Sequence, residues 1–179
     1  MSPLPDTVFW SLIEASTAPE PDPARAVKAL RAALEKRTPE DIAAFQATFR
    51  RMLQKAYTWD LWGAVYVLHG GASDDYFEDF RGWLIARGQR IFETVLADPD
   101  GMGSVLALEP GGILDCEGFA FVAAEVWARK SGGTGALPLA IETTDRAREP
   151  AGEKFEENAA HLKARYPKLW RRFGDNPVN

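Results

Sequence analysis

The apolar residues of this chain recur every three or four positions, and proline and glycine cut the recurrence into helix-sized pieces. That spacing selects helices and leaves little room for sheet. The longest stripe, Ile42, Phe45, Phe49, Met52, Leu53 and Tyr57, runs at helical spacing over about five turns. Thr38-Pro39-Glu40-Asp41 supplies its start, with a capping hydroxyl, a proline in the first turn and acidic residues at the positive helix end. Asp22-Pro23 repeats the start signal ahead of Ala26, Val27, Leu30 and Leu34. Before it, Asp6 can cap a helix carrying Val8, Phe9, Leu12 and Ile13, which Pro19, Pro21 and Pro23 end.

A short helix from about Trp59 to Leu68 stops at His69-Gly70-Gly71. Ser73 can cap the next, which carries Tyr76, Phe77, Phe80, Trp83 and Leu84. Its stripe resumes beyond Gly88 as Ile91, Phe92, Val95 and Leu96 and meets the turn Asp98-Pro99-Asp100-Gly101. Residues 98–114, rich in glycine, read as an internal loop. Asp115 can cap a helix with Phe119, Val122, Val126 and Trp127, ended by Ser131-Gly132-Gly133-Thr134-Gly135. A short extended segment is expected near residues 136–141, and a mobile polar loop over 142–152. A final helix is expected from about Phe155 to Phe173, bent at Tyr166-Pro167. The expectation is therefore all-α: residues 1–179 as a single compact domain of about seven or eight helices around an aromatic core.

Composition narrows the function classes. With 179 residues and 46% of them apolar, a chain can bury roughly 70% of its unfolded surface, so a full core is within reach. No run of about 18 apolar residues exists to span a membrane. The sole cysteine, Cys116, cannot form an internal disulfide, and His69 and His161 are the only histidines. No metal site and no cofactor is therefore expected. Cys116 stands between Asp115 and Glu117, which oppose thiolate formation. The start of the chain carries no secretory signal, and the expected location is cytoplasmic.

A net charge of −5 argues against a general nucleic-acid binder. The one basic cluster, Lys163, Arg165, Lys168, Arg171 and Arg172, alternates with Tyr166, Trp170 and Phe173 and reads as the solvated face of an amphipathic helix. His161 is expected on that solvated side. Gly101-Met102-Gly103 lacks the strand and glycine spacing of a dinucleotide fingerprint, and Ser131 to Gly135 lacks the lysine of a phosphate loop.

The window from Trp59 to Leu84 holds the densest chemistry. Trp59, Trp62 and Tyr66 share a helix face, and Phe77, Phe80 and Leu84 share one on the next helix. The glycine turn makes the two helices neighbours, so these faces should meet. Gly63 and Gly82 sit inside helical patterns at a cost of roughly 1 kcal/mol each, which close approach of a backbone or ring would justify. Two readings of the polar residues stand side by side. In one, Asp60 pairs with Arg81, Ser73 and Asp74 cap a helix, and His69 packs on a ring. In the other, the turn opens into a pocket built from Asp60, His69, Ser73, Asp74, Asp75, Arg81 and Glu117, lined by Trp59, Trp62, Tyr66 and Trp83. Carboxylates there would act as acid and base, with His69 carrying a proton.

The run from Trp59 to Gly88, W-D-L-W-G-A-V-Y-V-L-H-G-G-A-S-D-D-Y-F-E-D-F-R-G-W-L-I-A-R-G, resembles the core of a bacterial domain-of-unknown-function family, the one numbered four thousand two hundred and forty. Thr7 to Glu14, Cys116 to Glu125 and Arg165 to Trp170 resemble its other parts. The resemblance implies small acidic bacterial proteins with no established activity. It also implies an adaptor or regulatory role, since similar domains stand beside other modules in longer proteins. The function expected is a non-enzymatic binding, adaptor or regulatory domain with a protein or small-molecule partner. The alternative is a hydrolase or other small-molecule enzyme using carboxylates around the His69-Gly70-Gly71 turn.

Overall fold

A computed structural model describes residues 3–17, 23–111, 118–132 and 149–178. Among them the fold is all-α. The helices are α1 (Asp6–Thr17), α2 (Pro23–Glu35), α3 (Pro39–Lys55), α4 (Trp59–His69), α5 (Asp74–Ala86), α6 (Gln89–Ala97), α7 (Met102–Val105), α8 (Val122–Lys130), α9 (Ala159–Arg165) and α10 (Pro167–Phe173), with 3-10 turns at Pro99–Gly101 and Phe119–Phe121. The segments near 136–141 and 142–148 and residues Asp115, Cys116 and Glu117 lie outside the described residues.

Side-chain caps set the starts. Thr38, Thr58, Ser73 and Asn158 each accept a hydrogen bond from the backbone N–H three residues on, opening α3, α4, α5 and α9. At the end of α4, Gly70 adopts a left-handed conformation (φ 74°), and the N–H groups of Gly70 and Gly71 both reach the Tyr66 carbonyl. Gly88 (φ 86°) separates α5 from α6, so the aromatic stripe that runs past it belongs to two helices.

Helix α3 lies at the centre of one half. Every residue from Ile42 to Phe49 is buried, which a one-sided stripe does not anticipate. Ala43, Ala44 and Ala47 explain it: small side chains let α1, α5 and α8 close in around the helix. Phe9 of α1 meets Phe45 at 5.1 Å, and Phe49 meets Phe119 at 6.4 Å. The entry to α1 is tied to α3 where Thr48 donates to the Leu4 carbonyl at 3.0 Å. On α1 itself Trp10 is buried and Val8 is 37% exposed, so the helix is rotated from the face its sequence suggests. The reason is ring packing: Trp10 reaches Phe92 of α6 at 5.3 Å.

Four expectations are corrected. Residues 98–114 are not simply a loop, because a 3-10 turn and α7 occupy 99–105 and bury Pro99, Met102 and Gly103. Residues 149–152, the described end of the expected mobile loop, are pinned. Ala151 exchanges backbone hydrogen bonds with Tyr57 (3.0 Å) and Trp59 (2.9 Å), and Pro150 is buried. The last helix begins at Ala159, not near Phe155, and proline divides it into α9 and α10. His161 is half-buried rather than solvated, with its Nε2 enclosed. Buried residues from Phe9 to Val178 join in one hydrophobic cluster.

Candidate functional site

Helix α4 carries the sequence window, and it places Asp60 and His69 at opposite ends. Nine residues of helix separate them by about 14 Å of rise. They cannot act on one reacting atom without a ligand spanning α4.

Asp60 is half-exposed and pairs with Arg165 of α9 at 3.2 Å. This corrects the expected pairing with Arg81. Arg165 also donates to the Glu153 carbonyl at 2.9 Å, and the Tyr166 hydroxyl donates to the Asp60 carbonyl at 3.0 Å. Burial pushes the Tyr166 hydroxyl well above its ordinary range; the Asp60 carboxylate adds to the shift and Arg165 opposes it. Arg81 is buried instead among rings. Its guanidinium lies 4.6 Å from the Tyr57 centroid and 4.9 Å from Phe77, and it donates to the Leu53 carbonyl (3.0 Å) and the Phe77 carbonyl (3.3 Å).

At the other end of α4, His69 stacks on Tyr76 at 3.9 Å. Its Nδ1 lies 2.7 Å from the Gly71 carbonyl. A carbonyl only accepts, so Nδ1 donates this hydrogen bond. Ser73 accepts from the Tyr76 N–H at 3.2 Å, and Asp74 and Asp75 stand exposed in the first turn of α5. The glycine turn is partly covered: a Cβ on Gly70 would sit 2.8 Å from Pro177.

The aromatic residues form a ladder rather than an open wall. Trp59 stacks on Trp62 (5.2 Å, 7°), Trp62 on Phe77 (4.9 Å, 12°), and Phe77 on Tyr57 (6.2 Å, 28°). A cation closes each end, Lys154 over Trp59 at 5.0 Å and Arg81 over Tyr57. Trp62 also donates its indole N–H to the Ala72 carbonyl at 3.0 Å. Tyr66 packs on Phe155 at 5.4 Å, and its hydroxyl meets Glu157; burial first, and then this carboxylate, raises its pKa. Trp83 belongs to another neighbourhood, against Phe80 and under Arg87. Glu117 lies outside the described residues. The structure thus joins Asp60 to a tyrosine and an arginine from the C-terminal segment, and gathers His69, Ser73 and Tyr76 at the turn. Among the described residues no three His, Cys, Asp or Glu side chains come together as a metal site requires.

Residues 5–129 match the family described as a protein of unknown function, DUF4240. The chain belongs to that family. No curated protein and no solved structure matches it. The DUF4240 match includes the whole window from Trp59 to Gly88 and stops short of α9, α10 and the Arg165 to Trp170 motif. Yet α4 is covered from residues 149–178: Tyr166 and Phe155 lie against Gly63, and the Val178 N–H reaches the Leu68 carbonyl at 2.9 Å. Sequence reasoning missed Arg165, Tyr166 and Phe155 as partners of the window. The signal was present in Gly63, an interior helical glycine that needs a large neighbour.

Proposed function

We propose that this member of the DUF4240 family is a non-enzymatic binding, adaptor or regulatory protein, built as one domain and working in the bacterial cytoplasm. The observation that carries the reading is that the described candidate polar groups are divided between the two ends of α4 and the rings around Arg81. Asp60 and His69 are held at opposite ends of α4. Asp60 is engaged in an ion pair, Ser73 in a helix cap, Arg81 in backbone hydrogen bonds and His69 in a ring stack. Catalysis needs the reverse, namely groups converging on one atom with room beside them.

Partner choice follows the same logic. Three of the five C-terminal basic residues pair with acidic side chains: Arg165 with Asp60, Lys168 with Asp98 at 2.6 Å and Arg172 with Glu109 at 3.0 Å. These carboxylates offset part of the cluster's charge, and with the net charge of −5 this supports a protein or small-molecule partner over nucleic acid. Among the described residues no helix is long and apolar enough to cross a membrane.

The test is a thermal-shift screen with divalent metals and common metabolites on wild type and Asp74→Ala, followed by affinity capture from the native host. The binding reading expects no ligand shift that depends on Asp74, and capture of a defined protein. A rise of the melting temperature in wild type alone would transfer support to an enzyme at the His69-Gly70-Gly71 turn.

A further inference from the structure

The segment 149–178 meets the rest of the protein as a ligand meets a receptor. Three glycines outside the segment act as notches, and each receives one or two of its side chains. At Gly63 a Cβ would collide with the Tyr166 hydroxyl and lie 2.9 Å from the Phe155 ring. At Gly103 it would lie 2.5 Å from Phe173, and at Gly70 it would lie 2.8 Å from Pro177. Tyr166 and Phe173 are seven residues apart, two helical turns, and both are buried to 1% exposure or less.

A charged rim surrounds these anchors. Arg165 pairs with Asp60, and Arg172 donates to the Gly103 and Leu108 carbonyls and pairs with Glu109. Asp100 accepts from the N–H groups of Lys168 and Leu169 at 2.9–3.1 Å. Buried aromatic anchors inside a polar rim are the anatomy of a recognition surface. The segment's two helices have seven residues each, too few to persist in water without that surface.

We propose that the face of α4, the 3-10 turn and α7 is a peptide-docking surface, occupied in this protein by its own residues 149–178. The occupant it selects is a segment with two aromatic anchors seven residues apart and flanking arginine or lysine. Asp60 beside the Gly63 notch, and Asp98, Asp100 and Glu109 on the Gly103 side, supply the complementary charge. This deepens the binding reading, on which it rests, by naming the surface and the chemistry of its partner. A tethered copy competes at high effective concentration, so a free peptide binds when the tethered copy is weakened.

The experiment uses the full chain and a fluorescent synthetic peptide of residues 149–178. Anisotropy is measured on wild type, on Phe173→Ala, which removes an anchor, and on Arg165→Ala/Arg172→Ala, which removes rim charges and their contacts over the Tyr166 and Phe173 rings but keeps both rings. Circular dichroism establishes which variants are folded. The expected result is at least about tenfold tighter peptide binding to a folded variant than to wild type, abolished by replacing the peptide's own Tyr166 and Phe173 with alanine. Equal, absent or anchor-independent binding by the rim variant overturns the proposal. That outcome leaves the broader binding reading intact, because host capture reports on any surface of the wild-type protein.

Discussion

Helix α3 and the C-terminal segment are both enclosed, but they reach enclosure by opposite routes. α3 presents small residues of its own, Ala43, Ala44 and Ala47, and whole helices close around it. The segment 149–178 presents large rings and finds the small residues elsewhere, at Gly63, Gly70 and Gly103. In the first case the small residues lie together on one helix, inside the family match. In the second the shape complement is divided between positions up to about a hundred residues apart, and one side lies beyond the match. The difference teaches where each region is fragile. α3 fails when its surface is enlarged, whereas the segment fails when either half of a ring-and-notch pair changes.

The largest effect should come from removing an anchor. Phe173→Ala empties a fully buried ring site and should cost about 3–5 kcal/mol in urea unfolding. Ala47→Leu, its counterpart on α3, overpacks a buried position and should cost about 1–3 kcal/mol. Gly63→Ala should fall in that same range, and Tyr166→Phe in the same molecule should recover part of the loss by removing the hydroxyl that the methyl meets. Full additivity would show that the notch is not where the strain lies.

A smaller effect is expected from Asp100→Ala, which leaves the first N–H groups of α10 without their acceptor, at about 1 kcal/mol. Smallest of all, Lys168→Ala should leave the melting temperature within scatter, because its pair with Asp98 is solvent-exposed. Alkaline titration separates the regions differently. The Tyr166 pKa is raised in the fold, so its contribution is fully present below the ordinary tyrosine value near 10 and is lost as pH climbs above it. Tyr166→Phe should flatten the fall of stability above about pH 10. An unchanged slope would mean that other groups carry it.

The sequence was legible where signals are local. Helix starts at Thr38 and Ser73, the glycine stop after His69 and the bend at Tyr166-Pro167 follow from backbone chemistry within a few residues. The meeting of the α4 and α5 aromatic faces followed from helical spacing, and the Trp62 and Phe77 stack bears it out. What was illegible is long-range. Asp60 had an apparent partner in Arg81 twenty-one residues on, but Arg165, 105 residues away, takes it. Arg81 instead directs its charge at two rings and two carbonyls. The glycine-rich stretch after Asp98 hid α7, because Gly103 is there to receive Phe173 and not to make a turn.

Docking as proposed requires the C-terminal segment to open apart from the helices packed on α3, although its rings share one hydrophobic cluster with theirs. Native-state hydrogen exchange in low denaturant tests this most directly. The amides of α9 and α10 should open together, with lower free energy than those of α3 and with a smaller denaturant dependence. Exchange of α3, α9 and α10 through one shared opening, at the full unfolding free energy, would contradict it.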